Sequence, residues 1–142
     1  MPEQLQSPEI QAFATGFPLT LLHFAVTTVI LFLGAALYVL LTPHREIALI
    51  RDGNAAAAVS LSGVLIGLSL PLAVSLNAST SLVDIAIWGV STVVVQLLVF
   101  RLVDLILRGL PQRIQEGEVA AAALLVGAKL STAVVLAAAV AG

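Results

Sequence analysis

"IRDGNAAAA", residues 50–58, and "IQEGEVAAA", residues 114–122, carry one pattern twice in a chain of 142 residues. An acidic residue precedes a glycine, and alanines follow. Shifting the chain by 64 positions brings Ile50 onto Ile114, Asp52 onto Glu116, Gly53 onto Gly117 and residues 56–58 onto 120–122. Further along Gly63 meets Gly127, and upstream Thr28 and Val29 meet Thr92 and Val93. Alanine-rich stretches match by chance, so the charge–glycine pair and the aligned glycines carry the weight. They predict a duplicated unit, each copy comprising what lies on either side of the pattern.

Those flanks are apolar. The composition is 60% hydrophobic and 10% charged, with a mean hydropathy of +1.12. A water-facing globule would be closer to half apolar and a quarter charged, so the chain belongs among membrane proteins. Its net charge of −2 offers no basic field for nucleic acid, and the absence of cysteine removes disulfide and thiol chemistry. The first seventeen residues hold Glu3 and Glu9 but no Lys or Arg. A cleaved leader needs a positive start, so the first apolar stretch reads as a retained span.

Crossing a bilayer takes about 20 mostly apolar residues. Residues 18–41, 55–76, 82–107 and 119–140 qualify, and in lipid each must be helical to satisfy its own backbone. The predicted fold class is an all-α, integral-membrane four-helix bundle. Residues 1–17 form an extracytoplasmic segment, 18–76 a first two-span repeat and 82–142 a second. A unit with two spans inserts the same way up both times, which makes a parallel repeat about the membrane normal. Arg45 and Arg51 lie in the 1–2 connection, and Arg108 and Arg113 at the 3–4 connection. The N-terminus, the 2–3 connection and the C-terminus hold no basic residue. Positive charge marks the cytoplasmic side, so both termini are expected outside.

The acid ahead of each glycine meets the positive end of the following helix dipole, and the glycine permits the turn into it. Gly63 and Gly67 form a G-x-x-x-G, and Gly127 and Ser131 repeat the spacing. Such faces let helices pack closely in lipid. They point to a pseudo-twofold contact between spans two and four, unless they only reflect how common small residues are in membrane helices. Pro71 is a candidate kink.

The stretch "TPHREIALIRDGNAAAAVSLSGVLIGLSLPL", residues 42–72, followed by "DIAIWGVSTVVVQLLVF", residues 84–100, resembles the YjfL-like domain-of-unknown-function family number 350 of small bacterial inner-membrane proteins. The resemblance rests on Thr42, Pro43, His44, Glu46, Leu49, Ile50, Asn54, Ala56 and Ala57. It continues through Ser62, Gly63, Gly67, Pro71, Leu72, Asp84, Trp88, Gly89 and residues 96–100. It implies a four-span inner-membrane protein built from a paired two-span domain, and no established activity. Association with membrane-stress, phage-shock-like coat proteins is the hint it gives about partners. Lys129 lies outside the family pattern.

Ionisable groups inside a bilayer are costly and are functional candidates by default. Span four carries Lys129 about ten residues, or roughly 15 Å, from its cytoplasmic end. Span three carries Gln96 at similar depth, with Arg101 and Asp104 nearer the cytoplasm. Arg101 and Asp104 are three apart and can pair along one side, and Gln96 can face the same cavity. The four groups sum to one positive charge. Either Lys129 is neutral, or an anion, a lipid headgroup or a partner's carboxylate completes the site, or a water-filled cleft in an oligomer serves instead. For Arg101 and Asp104 the alternative is snorkelling to the interface.

Asp84, opening span three, reads as a cap and dipole partner or as part of an outer ligand or ion site. Trp88 reads as an interfacial anchor or as packing against the bundle, and His23 as an ordinary interfacial histidine. His44 and Glu46 are too few for a metal site, so cap or loop hydrogen bonding is expected of them, and no metal or cofactor.

No phosphate loop, nucleophile elbow or paired carboxylates appear, so an enzyme is not expected. Two functions remain. One is an accessory or scaffolding subunit of an envelope-stress-type membrane assembly, as homo-oligomer or with a membrane-protein partner. The other is a small homo-oligomeric channel or carrier, for an anion or lipid, lined by Gln96, Arg101, Asp104 and Lys129.

Overall fold

A computed structural model describes residues 7–42 and 45–142. Pro43 and His44 of the predicted loop motif, and residues 1–6, lie outside the described residues. Six helices follow in order: α1 (Pro8–Leu41), α2 (Glu46–Arg51), α3 (Ala55–Ala78), α4 (Leu82–Ile106), α5 (Leu110–Gln115) and α6 (Val119–Ala141).

The helix ends follow local chemistry. Ser7 caps α1 by accepting from the Ile10 N–H at 3.4 Å, and Pro8 sits in the first turn, where it needs no N–H partner. The helix therefore starts ten residues before the expected span and runs through Pro18. At 34 residues it is about 51 Å long, and its first turns stand clear of the bundle, with Phe13 stacked on Phe17 at 4.8 Å.

Short helices α2 and α5 end alike. Gly53 (φ +90°) donates to the Ile50 carbonyl at 3.0 Å and Asn54 to Leu49 at 2.9 Å. Gly117 (φ +88°) donates to Ile114 at 2.9 Å and Glu118 to Arg113 at 3.0 Å. Each glycine takes the left-handed turn that closes a helix C-terminus by this paired bonding. The offset of 64 that relates the two sequence patterns also relates α2 to α5, and the first residues of α3 and α6.

The residues after the glycines differ. Asn54 caps α3, its Oδ1 accepting from Ala57 N–H at 3.0 Å. Its Nδ2 reaches across to the carbonyls of Ile114 at 3.0 Å and Gln115 at 3.1 Å, closing the end of α5. Glu118 turns back to Arg113, whose Nε lies 2.6 Å from Oε2. That hydrogen bond and the guanidinium's charge hold the Glu118 carboxyl below the usual carboxylate range.

Helix α3 is the centre of the bundle. It packs most extensively on α6 and also against α1 and α4. Close approach depends on glycine: a Cβ at Gly63 would lie 2.5 Å from Val126 Cγ2, one at Gly67 2.7 Å from Phe100 Cζ, and one at Gly34 2.7 Å from Val93 Cγ1. The α3–α6 contact therefore uses only Gly63 of the first G-x-x-x-G, and Gly67 lies against α4. The second small-residue pair is not in it. Gly127 and Ser131 are exposed, and nothing lies within 4 Å of a Cβ built on Gly127. The reason is angular. Helix α6 turns Ala121, Leu125, Lys129 and Ala133 inward, and positions two residues away point to the opposite side.

Around the core the surface stays apolar, with Leu40, Leu98, Ile106 and Val135 exposed. Helices apolar on every side are suited to lipid, and four of them are long and apolar enough to cross a membrane.

Candidate functional site

The inward stripe of α6 carries Lys129 into the middle of the bundle, where the residue is 1% exposed. Its Nζ donates to the Tyr38 hydroxyl of α1 at 2.8 Å. Asp104 Oδ1 of α4 lies 2.9 Å away and supplies the opposite charge. The ammonium also faces two aromatic rings, 4.8 Å from the Tyr38 centroid and 5.5 Å from that of Phe100. Those rings meet edge to face at 6.3 Å. Cation, carboxylate, hydroxyl and π-faces are the partners a buried ammonium requires.

Tyr38 is positioned from below. It is buried, and the Thr42 hydroxyl donates back to its carbonyl at 2.7 Å, closing the end of α1. Just beyond, Glu46 opens α2 and is fully buried. Deeper in the bilayer, Gln96 Nε2 donates to Thr132 Oγ1 at 3.1 Å, and that hydroxyl donates to the Lys129 carbonyl at 2.7 Å. Hydrogen bonds and one ion pair thus join α1, α4 and α6 around Lys129.

Asp104 and Lys129 are brought together as the sequence suggests, whereas Gln96 reaches only the Lys129 carbonyl, through Thr132. The pairing differs. Asp104 faces Lys129, and Arg101, half-buried, has no hydrogen bond or ion pair among the described residues. Lysine at mid-span cannot reach water and claims the carboxylate, whereas arginine nearer the interface can extend toward headgroups. Glu46, expected to serve a loop, is instead buried at the start of α2. One signal could have located it: the offset of 64 places Glu46 on Leu110, a buried residue at the start of α5. Tyr38 had no such marker.

At the opposite end of the bundle Asp84 and Trp88 share one face of α4. Ser81 caps the helix by accepting from Asp84 N–H at 3.1 Å, and Asp84 Oδ2 accepts from Thr80 N–H at 3.2 Å. This capping is the first of the two roles expected of Asp84. Trp88 is 53% exposed, and His23 is half-buried in α1.

Four apolar helices packed around a buried ionic cluster define a multi-pass α-helical membrane protein. The chain belongs to the family Domain of Unknown Function (DUF350), whose model matches residues 12–140. It is similar to UPF0719 inner membrane protein YjfL of Escherichia coli (strain K12), with 39% identity over 89 residues, 63% of this chain and 66% of the relative. The protein of the same name from Escherichia coli O157:H7 matches to the same extent. The match thus spans just under two thirds of these relatives' length. No solved structure matches.

Proposed function

We propose that this chain is a non-enzymatic scaffolding subunit of an inner-membrane assembly, a duplicated two-span bundle held closed by an internal ionic latch. The observation that carries the proposal is the closure of Lys129, 1% exposed and engaged by Asp104 and Tyr38 of the same chain. A lysine lining a path between copies would face a groove on the outside of the bundle; here it ties α1, α4 and α6 together. The inner-membrane location rests on the relatives' name. The four arginines in and beside α2 and α5 favour placing that end in the cytoplasm, with both termini outside.

The test is native mass spectrometry of the protein extracted from its own membrane into lipid nanodiscs. A stoichiometric complex with another membrane protein supports the scaffold, and its partner then defines the assembly. A closed homo-oligomer whose ion flux falls in Lys129→Ala, while helix content and assembly stay intact, overturns it in favour of a conduit. The orientation is tested separately: a periplasm-active reporter fused after Gly142 is expected to be active, and a silent but well-expressed fusion reverses the topology.

A further inference from the structure

At the end of the bundle away from α2 and α5, the last turns of α3 and α6 and the first turns of α4 enclose a cavity of about 210 Å³. Its walls are Ser75, Ala78 and Ser79 of the α3 end, Asp84 and Trp88 of α4, and Val140 of α6. Three observations make it more than a gap between helix ends.

The first is an orphaned hydroxyl. Ser62, Ser79, Ser91 and Ser131 each donate to the carbonyl four residues back, and Ser69 to the one three back. Ser75 does not. It is 2% exposed, its Oγ has no hydrogen-bond partner among the described residues, and it forms part of the cavity wall. A buried polar group left unpaired is costly unless something not built from the chain meets it.

The second is the sign of the field. Asp84 brings a carboxylate, and among the described residues only its Oδ2 is engaged, by the Thr80 N–H. Helices α3 and α6 both end at the cavity and bring the negative ends of their dipoles. The positive end of α4 offsets one of these at most. A cation is therefore favoured.

The third is the kind of cation. One carboxylate with two hydroxyls falls short of the six to eight oxygens that calcium takes. The cavity is several times the roughly 30 Å³ that a liquid water occupies. Indole is the best of the aromatic faces for an organic cation, and Trp88 stands at the rim.

We propose that Asp84, Trp88 and Ser75 form a binding site for an alkylammonium group, presented by an aminophospholipid headgroup or by a free primary amine. Asp84 takes the charge, Ser75 and Ser79 offer hydroxyl oxygens to the N–H donors, and Trp88 covers the methylenes. The cavity opens at the level where a lipid ammonium sits, since tryptophans of this kind occupy the headgroup layer.

Trp88 is the chain's single tryptophan, so its fluorescence reads the site directly. The protein is placed in phosphatidylglycerol nanodiscs, and emission is followed as phosphatidylethanolamine or free ethanolamine is introduced. The expected result is a saturable change in Trp88 emission, with apparent affinity at least tenfold weaker in Asp84→Asn and severalfold weaker in Ser75→Ala. A response to phosphatidylethanolamine alone identifies the lipid as the source, and a matching response to ethanolamine identifies the free amine; either supports the site. No saturable change with either, the same change with added phosphatidylglycerol, or affinity unaltered in both variants overturns it. Helix content and thermal unfolding establish that each variant is folded; if Asp84→Asn is not, Ser75→Ala decides alone.

Discussion

Lys129 Nζ and Asp104 Oδ1 stand 2.9 Å apart between α6 and α4, with the Tyr38 hydroxyl of α1 2.8 Å from the same nitrogen. Three helices are thus joined at one ammonium, which explains how so short a chain tolerates a lysine deep in its apolar core. Removing either charge leaves the other buried and uncompensated, a loss of about 3 to 5 kcal/mol. Lys129→Met and Asp104→Leu are each expected to destabilise the bundle on that scale, and the double variant is expected to recover most of the loss. A double-mutant cycle on unfolding in mild detergent measures the coupling; additive losses would show the pair to be energetically independent.

The glycine contacts divide the two small-residue pairs. Gly63→Ala drives a Cβ to within 2.5 Å of Val126 Cγ2 and is expected to cost about 1 to 3 kcal/mol by overpacking. Val126→Ala should restore much of it. Gly127→Ala meets no atom within 4 Å and should be neutral or slightly stabilising, because alanine is the better helix former. Thermal unfolding of the three variants checks the contrast.

Gly53 and Gly117 are open in space yet constrained in backbone, with φ of +90° and +88° and, among the described residues, nothing within 4 Å of a Cβ built on either. Alanine at either position is expected to cost about 1 to 2 kcal/mol through left-handed strain alone, and asparagine less. Equal losses for alanine and asparagine, measured by the same unfolding, would show that the conformation is not the constraint.

Asn54 serves both ends of a junction, capping α3 through Oδ1 and closing α5 through Nδ2. Asn54→Asp keeps the cap but sets a carboxylate against two carbonyls; Asn54→Ala loses both functions. Both should destabilise, with alanine costing at least the ~1 kcal/mol of a lost cap. Hydrogen exchange localises the effect: in the aspartate variant the faster exchange is expected around α5, with the first turn of α3 still protected.

How much of this was legible before the structure depends on what each feature requires. The spans were visible because lipid imposes a length and a composition on any helix that crosses it, and α3, α4 and α6 begin where the apolar runs predict. The early start of α1 was hidden, because residues 8–17 are held helical by Ser7, Pro8 and local bonding rather than by a continuous apolar run. The glycine turns after α2 and α5 were written in the sequence, since a left-handed φ restricts the residue itself.

The ionic cluster divides along the same line. That Gln96, Arg101, Asp104 and Lys129 sit at unfavourable depth follows from the order of residues, because depth is position along a helix. Which of them meet depends on the rotation of each helix about its axis and on which neighbour it faces, and apolar surface on every side leaves that rotation unspecified by pattern. Packing decided it. Val126 against Gly63 and Phe100 against Gly67 fix how α6 and α4 lie on α3, and that arrangement delivers Lys129 to Asp104 and Tyr38. It also turns Gly127 outward and draws Glu46 from an apparent loop into the core. The sequence by itself determined four membrane helices, their breaks and the depth of each charge. Only the tertiary structure decided which charges neutralise one another, because that is settled by side-chain contacts between helices and not along any one of them.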